Sequence, residues 1–288
     1  MDASDCHYYA EISETLGIGI ADDFPVNQKF IGLKDIVKSL SAERKYYLHP
    51  NPDGLKDYSQ KPYSGLLQDC KEHLNAYRQK IINVPTVLAL VHPFYAFLSH
   101  WEKFSNSNRT EKAMKYLDVL VMSLEYLRKK DNVKVVLIES VEHYAALSSM
   151  LIEKGIVHDV FFTFFDEGVL LDPRNYNPLK KSEKVYAGGS YTSACLKANI
   201  QEMYKIVPYH KIILVPELTL AKPVKAPVES SKEVSISLRN VEGIKDDKDW
   251  HDGLEDLLTN VGGVIALDSL FSEIDLQLCH KSNTLPSF

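Results

Sequence analysis

Long apolar runs are missing from this chain, and without one of roughly 20 residues no helix is expected to cross a bilayer, so no membrane partner is expected. The first residues, Met1-Asp2-Ala3-Ser4-Asp5, are acidic and carry no apolar core, which argues against a secretory signal. Cysteine is scarce. Cys6, Cys70, Cys195 and Cys279 lie far apart, with neither the paired spacing of a zinc site nor the density of a disulfide scaffold. The expectation is a soluble protein of a reducing compartment, cytoplasmic, with no metal. A basic stripe is also lacking: the net charge is −6, and the tightest groupings, Lys180-Lys181 and Arg128-Lys129-Lys130, read as solvated charges at a loop and a helix end. Nucleic acid is therefore not an expected partner. The only glycine pair followed by a helical pattern, Gly188-Gly189, has neither a P-loop lysine nor the third glycine of a dinucleotide fingerprint, so no cofactor is expected by those routes.

What the chain does contain is an ordinary globular mixture, 45% hydrophobic and 25% charged over 288 residues, enough for a sizeable core. Residues 1–85 read as a helical N-terminal cap, with helical periodicity over Leu33–Leu40 and Leu66–Ile82. From residue 86 short apolar runs alternate with amphipathic stretches, the pattern of buried parallel strands and their crossover helices. Thr86–Val91, Val133–Ile138, Val157–Phe165, Val185–Ala187 and Lys211–Val215 are the expected strands. Thr110–Lys130, His143–Lys154 and Thr192–Ile206 are the expected helices, and 168–184 a loop. This order predicts a three-layer α/β fold over 86–221: a mostly parallel, doubly wound, Rossmann-like sheet with helices on both faces. Residues 222–288 begin with proline-punctuated chain and read as an extension packing on the core. It would carry a strand at 234–238, a helix at Trp250–Leu258 and a strand at Val261–Leu267.

In such sheets ligands bind beyond the carboxyl ends of the strands. The residues there are His92 after the first strand, Glu139 and Ser140 after the second, Asp166 and Glu167 after the third, Gly188–Ser193 after the fourth and Glu217 after the fifth. The segment Ala187-Gly188-Gly189-Ser190-Tyr191-Thr192-Ser193-Ala194-Cys195 reads as strand, glycine turn and helix start. Gly188 and Gly189 would let the backbone approach a ligand, Thr192 or Ser193 would cap the helix, and a thiol near that terminus would have its thiolate favoured by the helix dipole. Glu139 and His143, four apart at a helix entry, suggest a contact or a cap, with no third ligand for zinc.

Gly189, Thr192, Cys195 and Leu196 fit the pattern Gly-x-x-Thr-x-x-Cys-(Val/Leu), in which the region 86–221 resembles the isochorismatase-like cysteine hydrolases. The resemblance implies Cys195 as nucleophile on a small amide, ester or enol ether, with backbone amides around Gly188, Gly189, Ser190 and Thr192 holding the oxyanion. Where that family has an Asp after the first strand, this chain has His92-Pro93-Phe94. The family's lysine has no counterpart in the third strand; Lys180, Lys181 and Lys184 are the nearest. Two readings follow. In one, His92 is the base for Cys195, steered by Asp166 or by Glu139. In the other, the fold persists as a binding or assembly protein without hydrolase chemistry, and Cys195 is a small buried core residue. A small molecule is the expected partner in the first, and a homo-oligomer is compatible with both.

Overall fold

The computed structural model describes residues 33, 63–79, 81, 83–98, 107–163, 168–221 and 253–262. Five runs rich in Val, Leu, Ile and Phe form its strands: β1 (Thr86–Val91), β2 (Val133–Glu139), β3 (Asp159–Phe162), β4 (Lys184–Ser190) and β5 (Ile212–Leu220). Every pairing is parallel and the order is β3-β2-β1-β4-β5. Strands buried on both sides need apolar residues at successive positions, which is why β1 is buried along its whole length.

Alternate residues supply the two faces. Leu88, Leu90, Val135, Leu137, Val160 and Tyr186 join one core. Helix α1 (Tyr63–Tyr77), α2 (Tyr95–Leu98), α3 (Ser107–Leu127) and the run from α4 (Val141–His143) through a π-turn (Tyr144–Ser148) to α5 (Ser149–Glu153) belong to that side, through residues such as Leu74, Phe97, Leu117 and Leu151. Val87, Ala89, Val91, Val136, Ile138 and Val185 join the other core, with Leu179 of α6 (Asn177–Lys180) and Leu196, Ile200 and Met203 of α7 (Cys195–Met203). The result is the expected three-layer α/β fold. Each fully buried Val or Leu contributes roughly 1.5–3 kcal/mol, so the two apolar faces hold the helices on the sheet. No helix of the described residues is long and apolar enough to cross a membrane.

Several boundaries differ from expectation. The 168–184 region is not all loop: Asp172 caps a 3-10 turn over Pro173–Tyr176, which runs into α6. The pair Gly188-Gly189 is no turn, because β4 continues through both to Ser190, and Glu217 lies inside β5 rather than after it. Neither Thr192 nor Ser193 caps α7, which begins at Cys195 after Ala194 and has no side-chain cap. The helix expected from His143 starts two residues earlier, with Ser140 Oγ accepting from His143 N at 3.3 Å. In the C-terminal region α8 (Gly253–Asn260) forms and packs on β5, while Val261 and Gly262 are turn rather than strand. Apart from Leu33, helical and buried, the expected Leu33–Leu40 helix lies outside the described residues, as does the 234–238 strand.

Several polar groups at the amino ends of the strands are matched. Asp256 of α8 accepts from Lys184 Nζ at 3.0 Å and from Tyr186 Oη at 2.6 Å, while Asn260 donates to the same Tyr186 oxygen at 2.9 Å. At the start of β3, Val135 N–H donates to His158 Nδ1 at 3.0 Å, which makes that nitrogen the acceptor and the ring neutral, and Asp159 Oδ1 accepts from Val160 N at 2.9 Å.

Candidate functional site

The strand order reverses between β1 and β4: from β1 the chain builds outward to β2 and β3, then returns to the opposite side for β4 and β5. A crevice at such a switch point is where open α/β sheets bind ligands, and its walls are the residues leaving β1 and β4. Here they are His92 on one side and Ser190-Tyr191 on the other, with Glu139 at the end of neighbouring β2.

His92 leaves β1 with φ +42°, a left-handed conformation that costs a non-glycine residue of the order of 1 kcal/mol or more and that concentrates at functional sites. Its amide donates to Ile138 O at 2.8 Å, its carbonyl accepts from Tyr95 N at 3.1 Å, and its Nε2 shares a 3.0 Å hydrogen bond with Thr163 Oγ1 just past β3. Glu139, fully buried, accepts from His143 Nδ1 at 3.1 Å through Oε1, so the four-residue spacing at the helix entry does form a contact. Its other oxygen, Oε2, is buried without a hydrogen-bond partner. The two imidazoles stand edge to face with centroids 6.4 Å apart, and Tyr95 packs against both, 5.1 Å from the His143 ring and 5.7 Å from the His92 ring. Tyr191 meets Tyr95 edge-on at 5.6 Å.

Tyr116, from α3, closes this group. Its hydroxyl donates to Pro93 O at 2.9 Å. Burial pushes its phenol well above the ordinary range, a contact with Ser190 works against that, and the nearby Glu139 carboxylate adds to it. Burial raises Tyr191 in the same way, with Cys195 and Tyr116 close enough to contribute. Both phenols therefore stay protonated.

The expected site residues divide between this cluster and its flank. His92 and Glu139 lie in it, and Ser190 beside it. Gly188 and Gly189 are needed for the sheet: a Cβ on Gly188 would lie 2.7 Å from Leu218 O, and one on Gly189, at φ +119°, only 1.9 Å from Val91 O. Thr192 donates its amide to Leu220 O at 3.2 Å, and Tyr191 O accepts from the amides of Ala194 and Leu196. Cys195 opens α7 and is 6% exposed, within the apolar core on the α7 face that also contains Leu170 and Leu196. Asp166 lies outside the described residues. Tyr191 falls in the Gly188–Ser193 segment expected at that edge, whereas Thr163, Tyr95 and Tyr116 are additions of the fold, and only the aromatic residue a few positions past a strand end in His92-Pro93-Phe94-Tyr95 hints at one of them. Among the described residues no group of three or more His, Cys, Asp and Glu side chains is arranged to hold a metal ion.

Comparison of the chain with protein-family models, with curated proteins and with solved structures finds no match.

Proposed function

We propose that the carboxyl edge between β1 and β4 binds a small polar molecule and that the chain is an isochorismatase-like cytoplasmic hydrolase acting on it. Cys195 is the nucleophile, His92 the base that takes its proton, and Glu139 with His143 the neighbouring polar pair that orients substrate. The observation that supports this is the gathering of His92, Glu139, His143 and Thr163, each no more than 3% exposed, at the carboxyl ends of β1, β2 and β3 beside the switch point of the parallel sheet. Burying such groups seldom stabilises a fold better than apolar residues would, so chemistry is the better reason for their presence. The start of a nine-residue helix at Cys195 adds support, since a thiolate there is favoured by the helix dipole.

Cys70 provides an internal control, because it is as buried as Cys195 but lies on a different part of the fold, with its Sγ 3.9 Å from Val141 O. Iodoacetamide should alkylate Cys195 at least tenfold faster than Cys70 and also faster than Cys6 and Cys279. His92→Ala should move the pH dependence of that labelling upward. Equal rates at Cys195 and Cys70 would remove the nucleophile. The apolar surroundings of Cys195 favour a second reading, in which the same edge binds its ligand without turnover. Crystals soaked with small amides separate the two: an intact amide at the edge, with Cys195 inert to iodoacetamide, supports the binding protein.

A further inference from the structure

We propose that the carboxyl-edge site takes a ligand bearing a cationic N–H donor, a protonated amine or an amidinium, whose nitrogen binds Oε2 of Glu139. This rests on the reading of that edge as the ligand site and names the chemistry it selects. Glu139 is 0% exposed and its Oε1 is held by His143, yet Oε2 has no hydrogen-bond partner. A buried acceptor left unmatched is costly, and more so on a carboxylate, so an occupant with a matching donor recovers that loss on binding.

The neighbouring Tyr116 does not fill the role. The Tyr116 hydroxyl is close to Glu139, but its one hydrogen goes to Pro93 O at 2.9 Å. His143 offers Nδ1 to Oε1. The His143 ring that holds the carboxylate packs on Tyr95, and Tyr95 on Tyr191, with centroid distances of 5.1 and 5.6 Å, and aromatic faces attract a desolvated cation. An anionic ligand would meet the Glu139 charge directly. A neutral alcohol could donate to Oε2 but would leave the charge unbalanced. An N–H cation answers both demands.

The test uses the full chain and matched probes at constant ionic strength: methylammonium, ethylammonium, benzylammonium and acetamidinium chlorides against methanol, ethanol, benzyl alcohol and acetamide, followed by calorimetric titration. At least one cation is expected to bind tenfold or more tighter than its neutral partner, and Glu139→Gln to abolish that preference. Neutral probes binding as well as the cations, or a preference that survives Glu139→Gln, would overturn the proposal. If Glu139→Gln does not fold, the matched pairs on the unaltered chain decide, with Glu139→Asp as the second variant. Soaked crystals separate this outcome from failure of the site itself. Neutral amides at the edge without cation preference sink only the ligand class, whereas no probe of either kind at the edge sinks both.

Discussion

The charged groups at the two ends of the sheet are matched to different degrees. At the amino ends Lys184, Tyr186, Asp256 and Asn260 close a network in which each group has a partner, and His158 and Asp159 each accept a backbone N–H. At the carboxyl ends His92 is in a left-handed conformation and Glu139 carries an oxygen that nothing satisfies. Matched polar groups hold elements together, whereas strain and an unmatched acceptor mark a place prepared for something outside the chain.

The largest expected effect comes from the close approach of β4 to β1. Gly189→Ala would force a Cβ to within 1.9 Å of Val91 O at a φ of +119°. A loss of about 3 kcal/mol or more in unfolding free energy is expected from overpacking combined with a forbidden backbone conformation. Denaturant titration measures it, and a loss under about 1 kcal/mol would mean that the carboxyl edge is more pliant than the amino edge.

Next comes a hidden balance at the start of β3. Burial pushes Asp159 up to about 6, with Arg78 and the Val160 amide opposing. A carboxyl raised above its unfolded value loses stability as pH rises from about 4 to 6. Burial pushes His158 down to about 4, aided by Lys134. A histidine lowered below its unfolded value gains stability as pH rises from about 4 to 6.5, so the two neighbours offset each other across the same window. Asp159→Asn should uncover the histidine. Stability at pH 7 should rise by about 2 kcal/mol, and the profile should climb between pH 4 and 6.5, as thermal unfolding across that range would record. A flat profile in the variant would contradict the balance.

The smallest effects bear on the contrast itself. Tyr186→Phe removes a hydroxyl that bonds both Asp256 and Asn260 and should cost about 1 kcal/mol. Glu139→Gln removes a charge whose second oxygen has no partner and should cost less than that, although the site is buried more deeply. If the order is reversed in parallel denaturant titrations, the carboxyl edge is structural like its opposite.

Much of this fold can be read from sequence because its strands are buried on both sides. Thr86–Val91 stands out as a continuous apolar run, and the Met114, Leu117, Val121, Leu124 and Leu127 spacing marks α3. The site is less visible. Glycines normally punctuate turns, so Gly188-Gly189 conceals the continuation of β4, where absent side chains let backbones approach. Thr192 has the chemistry of a helix cap, but its amide is taken by Leu220 O and α7 begins only at Cys195. His92 and Glu139 follow from strand ends alone. Thr163 and Tyr116 do not, because their proximity is created by strand order, which no local pattern encodes.

His92 is followed by Pro93, whose ring fixes the next backbone angle, and both its amide and its carbonyl are engaged. Its imidazole can therefore swivel about only two side-chain bonds, one end already tethered to Thr163. A visiting molecule would meet a ring whose bearing was settled during folding, and little orientational freedom would remain to be surrendered on its arrival.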